Sequence, residues 1–101
     1  MAATKIYPLF IEGLFPASVT VQENNFTAAY NSIHICTDSI EVQLPEPKSK
    51  TQIIIKSLGE NTITIKPYDT EKIEGIADDF IFQSTNESST LVSNGVDWFI
   101  I

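Results

Sequence analysis

Apolar residues in this chain recur at every second position over short runs, and almost nowhere at every third or fourth. A period of two is what a strand with one buried face requires, whereas an amphipathic helix needs 3.6. The runs are SVTVQ (18–22), SIHICT (32–37), IEVQL (40–44), QIIIK (52–56), TITIK (62–66), FIFQS (80–84) and STLVS (89–93), with a final strand after residue 95. Turn formers separate them at 45–50, 57–61, 67–69 and 86–88. Strands at intervals of about ten residues with turn signals between them predict an all-β domain. The expected form is a small antiparallel β-sandwich, jelly-roll-like, over residues 18–101. Residues 1–17 read differently: Pro8, Gly13 and Pro16 among Tyr7, Phe10 and Phe15 suit an extended arm.

Two hairpins can be read to their register. Asn94-Gly95 is a strong signal for a two-residue type I′ turn, whose central positions both need positive φ. It would set Ser93 opposite Val96, Leu91 opposite Trp98 and Thr90 opposite Phe99. Leu91, Val96, Trp98 and Ile100 then share one face, and Val92, Phe99 and Ile101 share the other. The second hairpin, closed by residues 57–61, would place Ile55 opposite Ile63 and Ile53 opposite Ile65. Those four isoleucines form a core patch, with Ile54 on the far face beside Thr64. Both faces of the last strand are therefore apolar, and Ile54 adds to the second face. Such surface is rarely left wet, so another subunit is the expected cover, with Phe10 and Phe15 of the arm contributing to it.

Composition narrows the function classes. Six Lys+Arg stand against 13 Asp+Glu, for a net charge of −7. Nucleic-acid binding needs a basic footprint, so no nucleic-acid partner is expected. No stretch approaches the roughly 20 apolar residues of a membrane helix, and no membrane insertion is expected. Glu12 and two prolines interrupt the apolar start of the chain, which argues against a cleavable export signal. The single cysteine, Cys36, reads as a small buried hydrophobe.

Candidate chemistry is sparse. His34 and Cys36 share a strand face, but a histidine and a cysteine two apart lack the further ligands of a closed metal site; His34 is at most a weak metal candidate. Asp69, Glu71, Glu74, Asp78 and Asp79 cluster between strands without the ordered spacing of a calcium loop. No catalytic motif is present, so no enzymatic activity and no cofactor are expected. Tyr68, in a turn between Pro67 and Asp69, is a candidate sugar-stacking surface, while Trp98 reads as core.

From about Tyr30 onward an ordered pattern accumulates: Asp38; Val42-Gln43-Leu44-Pro45; Ile55-Lys56; Asn61-Thr62-Ile63-Thr64-Ile65; Ile73-Glu74-Gly75; Phe80-Ile81-Phe82; and Leu91-Val92-Ser93-Asn94-Gly95 leading to Trp98 and Ile100. This pattern resembles a small β-module of tail-fibre, spike and other appendage proteins of bacteriophages and some larger viruses. The resemblance implies a non-enzymatic virion protein that works as a homotrimer. An intertwined trimeric β-prism is then the alternative to the sandwich. Ile54, Val92, Phe99, Ile101, Phe10 and Phe15 would be its interface, and the arm would engage other virion proteins. The alternative function is recognition of a host-surface glycan or protein.

Overall fold

In the computed structural model, residues 18–69, 72–83 and 85–101 are described. They form nine strands and no helix: β1 (Ser18–Gln22), β2 (Phe26–Thr27), β3 (Ser32–Cys36), β4 (Ile40–Gln43), β5 (Thr51–Ser57), β6 (Ile63–Lys66), β7 (Phe80–Phe82), β8 (Ser88–Ser93) and β9 (Trp98–Ile100). The strands make two sheets, ordered β1-β3-β5-β8-β9 and β2-β4-β6-β7.

The all-β expectation holds, but the sheets are mixed rather than antiparallel. β1, β3 and β5 run parallel as neighbours, as do β2, β4 and β6. Parallel neighbours need a long crossover between them, and here the strand in the opposite sheet supplies it. The chain thus winds as three stacked turns, each giving one strand to each sheet. Ser18 lies beside Ser32 and Ser32 beside Ile53, so successive turns advance by 14 and then 21 residues. This winding replaces the jelly-roll order, in which neighbouring strands run in opposite directions. After the third turn, β7 pairs with β6, β8 with β5 and β9 with β8, all antiparallel. That reversal ends the winding on the β5/β6 side.

Small polar residues at the corners satisfy the next turn's backbone. Asn25 Oδ1 accepts the Glu41 N–H at 2.8 Å, and one turn on Ser39 Oγ accepts the Thr62 N–H at 2.9 Å. Asn31, at φ 54, exchanges hydrogen bonds with Gln52 through its own N–H and its side chain. Asparagine tolerates this left-handed conformation because its short side chain bonds locally.

The core lies between the sheets. Cys36, Ile53, Ile55, Leu91 and Trp98 come from the five-stranded sheet, and Ile40, Val42, Ile63, Ile65 and Phe82 from the other. All four isoleucines expected in a core patch are fully buried. Their pairing is nevertheless corrected: β5 and β6 lie in different sheets, so Ile53 and Ile55 meet Ser32, His34, Leu91 and Ser89 laterally. Ile54 stands beside Ile33 and Thr90, not Thr64.

The terminal hairpin is shifted as well. Ser93 pairs with Trp98, Val92 with Phe99 and Leu91 with Ile100, which makes the loop four residues long. Asn94 is not at positive φ, so the type I′ turn does not form; Gly95 alone has φ 97. Asn94 Oδ1 instead accepts the N–H groups of Val96 and Asp97, at 2.9 and 3.0 Å. A shift of two residues preserves strand faces, so only Val96 changes place, to an exposed loop position.

Candidate functional site

Strand alternation gives the outer face of the five-stranded sheet three rows. Val19, Ile33, Ile54 and Thr90 form one, Val21, Ile35, Lys56 and Ser88 the second, and Gln52, Val92 and Phe99 the third. Ile101 continues the alternation, its N–H bonded to the Thr90 carbonyl at 2.9 Å. At the sheet's two edges Val19, Val21 and Ile101 are 59%, 61% and 76% exposed; in the central strands Ile33, Ile35, Ile54 and Val92 are half-buried by their neighbours. Ile54, Val92, Phe99 and Ile101, the apolar residues anticipated from the sequence, therefore occupy one continuous outward face. Val19, Val21, Ile33 and Ile35 belong to it too. Their alternation with Thr20 and His34 was the available signal, but pairing β1 and β3 beside β5 required the winding to be known. Phe10 and Phe15, and the arm over 1–17, lie outside the described residues.

On this face Gln52 Oε1 is shielded from water and has no hydrogen-bond partner among the described residues.

The outer face of the four-stranded sheet is of opposite character. Thr27, Gln43 and Lys66 form one row, and Glu41, Thr64 and Ile81 the next. Lys66 Nζ binds Asp79 Oδ2 at 3.0 Å, and this hydrogen bond raises the lysine pKa. Both side chains are more than a third exposed, so the pair adds little to stability. Gln43 spends its amide on the carbonyls of Leu44, Lys66 and Pro67. Two adjoining shallow depressions of ≈ 320 and ≈ 280 Å³ share Asn25 and Glu41 on this side.

The remaining candidates separate. Tyr68 is 36% exposed in the loop after β6 and lines neither depression. Tyr30 is pinned: its hydroxyl donates to the Glu46 carbonyl at 2.6 Å, and Lys48 Nζ stands 5.4 Å from its ring centroid. Burial, then Glu46 and Tyr68, raise its pKa. His34 and Cys36 do share the inner face, but both ring nitrogens of His34 are engaged by Ala29 and Thr20. Burial pushes the Cys36 thiol up to about 11. Among the described residues no three His, Cys, Asp or Glu side chains converge as a metal site. Of the clustered acids, Glu74 Oε2 accepts the Ile100 N–H and Asp79 binds Lys66; Glu71 is outside the described residues.

No protein-family model matches the chain, and no curated protein matches it.

Proposed function

We propose that this chain is a structural module of a virus particle, a fibre, spike or capsid-decorating element, that assembles as a homotrimer. The observation that carries the reading is the contrast between its two outer faces: one is mainly apolar, with an apolar residue from each of five strands beside Lys56, Gln52, Ser88 and Thr90, and the other is mainly polar around Ile81. A lone domain has no use for that asymmetry; a subunit packed on one side and wet on the other does. In this reading the subunits pack through the apolar face of the five-stranded sheet, and strand sharing as in a β-prism is the alternative arrangement.

Magnitudes say how much the face can do. Five strands about 4.8 Å apart and about five residues long project roughly 400 Å². At ~25 cal/mol per Å² of apolar area, covering it yields at most about 10 kcal/mol, less for the share taken by Lys56, Gln52, Ser88 and Thr90, against association costs of about 4–15 kcal/mol. A standard interface takes ~800 Å² from each partner, so the face would need a second contribution, which the reading assigns to residues 1–17. Net charge of −7 per copy opposes close approach, and the polar sheet then faces outward. Light scattering on the full chain tests this: a trimer mass is expected, reduced in Phe99→Ser and Ile54→Ser. A monomeric wild type at high micromolar concentration would sink the reading.

A second reading, recognition of a host-surface glycan or protein, is favoured by the two adjoining depressions of mixed polar and apolar lining over Asn25 and Glu41. It predicts binding to glycans or cells that Glu41→Ala abolishes while the trimer mass is unchanged.

A further inference from the structure

The chain has one histidine, and its surroundings are unlike those of a surface residue. His34 is 3% exposed on the inner face of β3. Ala29 donates its backbone N–H to Nε2 at 3.1 Å. That bond occupies the Nε2 lone pair and fixes the ring proton on Nδ1, which donates to Thr20 Oγ1 at 3.0 Å. Phe26 packs on the ring, with centroids 4.7 Å apart. One neutral imidazole thus joins three pieces: edge strand β1 through Thr20, β2 through Phe26, and the β2–β3 turn through Ala29.

We propose that His34 is an acid-sensitive latch, whose neutral ring holds β1 and the β2–β3 turn against the body and whose protonation at Nε2 releases them. A proton on Nε2 would point at the Ala29 N–H, turning a hydrogen bond into a donor–donor clash. It would also place a charge where no counter-charge waits. β1 contributes Thr20 and Gln22, β2 contributes Phe26, and β5 contributes Ile55 alongside. The charged residues of the surrounding elements face elsewhere: Glu23 at an exposed corner, Glu41 and Lys56 on outer faces. Cys36, the titratable group on the same strand face, stays a neutral thiol. A buried charge without a partner is costly enough that opening is the cheaper outcome.

The sign follows from burial, which lowers the His34 pKa below its ordinary 6.5. The unfolded or opened segment takes the proton first as pH falls. Stability is therefore full above 6.5 and declines as pH drops through that value towards the lowered folded-state pKa. Within that window each pH unit shifts the opening equilibrium by up to about tenfold. Release of β1 would bare the edge of β3, remove Val19 and Val21 from the apolar face, and loosen the link between residues 1–17 and the body. The latch operates whether or not the chain trimerises.

Two measurements on the full chain test it. Nitrogen NMR of the imidazole should show the Nδ1–H tautomer near neutral pH. Amide hydrogen exchange, corrected for intrinsic rate, should show protection of residues 18–22 falling relative to residues 51–57 between about pH 7 and about pH 5, by no more than about tenfold per pH unit. In His34→Gln, which cannot titrate, that relative loss should vanish. An Nε2–H tautomer, a ring already charged at neutral pH, or unchanged relative protection in the wild type would each overturn the proposal, as would an equal loss in the variant.

Discussion

Ile54 and Ile55 are adjacent, chemically identical and on opposite sides of the five-stranded sheet, so truncating each to alanine isolates the effect of the face. Ile55 is fully buried between His34 and Ser89. Ile55→Ala removes three carbons, worth ~0.8 kcal/mol each, and adds a cavity term, for a loss of about 3–4 kcal/mol. Ile54 is half-buried and faces outward, so Ile54→Ala should cost only about 1 kcal/mol in a dissociated chain. Against a whole-domain stability of about 5–15 kcal/mol, both are measurable and the first is severe. Urea denaturation followed by Trp98 fluorescence gives the numbers. With a slope of ~1 kcal/mol per M for a chain this size, the midpoint should fall by about 3 M for Ile55→Ala and about 1 M for Ile54→Ala. Protein concentration adds a second axis. If the outer face is the assembly surface, the midpoint of the wild type and of Ile55→Ala rises with concentration, whereas that of Ile54→Ala does so less. Equal losses, or a larger loss at Ile54, would refute the register of β5 between β3 and β8.

Three further expectations concern the closing strands and the core. Gly95→Ala should destabilise by about 1–2 kcal/mol, because φ 97 strains any side-chain-bearing residue while the new Cβ meets Ser49 at an ordinary 3.5 Å; thermal melting reads it as a drop of roughly 5–15 °C, and no drop would contradict the loop geometry. Cys36, fully buried and with its thiol raised to about 11, should resist a thiol reagent at mildly alkaline pH until the chain unfolds; rapid labelling of native protein would place it elsewhere. Ile73→Ala and Trp98→Phe, which touch the same joint, should couple by about 0.5–3 kcal/mol in a double-mutant cycle, and additive losses would dissolve that joint.

Alternation fixes which way each side chain points and leaves open which strand lies next to which. Ile53, Ile55, Ile63 and Ile65 were placed in the core correctly, because a hairpin and a winding coil both bury alternate residues. Deciding between them takes the turn between β5 and β6, and residues 58–62 fit either. What settles it is remote: β3 offers β5 a parallel edge through Ile33 and Ile35, and Ser39 caps the Thr62 N–H from the turn below. β2 was illegible for another reason. Phe26–Thr27 is two residues long, too short to show a period, and it is a strand only because β4 lies beside it. At Asn94-Gly95 local preference lost to packing. Trp98, hydrogen-bonded through Nε1 to the Pro45 carbonyl, fixes where β9 begins, and the loop lengthened to reach it. The outer apolar face was half legible, through Ile54, Val92, Phe99 and Ile101; its other half needed β1 and β3 to be set alongside.

The ordered sequence pattern acquires a physical meaning in this fold. Leu44-Pro45, Ile73-Glu74-Gly75 and Trp98-Phe99-Ile100 are far apart in the chain and meet at one joint. Leu44, Ile73 and Trp98 share the buried core cluster. The Trp98 indole N–H donates to the Pro45 carbonyl at 3.0 Å. Trp98 exchanges backbone bonds with both sides of Ile73, its N–H going to the Lys72 carbonyl and its carbonyl receiving the Glu74 N–H. Glu74, at φ 57 beside Gly75 at φ 76, turns the chain so that its carboxylate accepts the Ile100 N–H at 2.6 Å. A sheet edge that would otherwise offer free N–H groups to another chain is closed there by a side chain and a loop, which is how edges are kept from open-ended pairing. The pattern therefore marks how the last strand is locked and the winding stopped. At this joint Leu44, Ile73 and Trp98 are buried and the Glu74 carboxylate is spent on the backbone, while Val92 and Phe99 of the same pattern stay on the outward face. Whatever distinguishes this chain's role must lie on the residues the joint leaves outside, first among them the apolar rows from Val19 to Ile101.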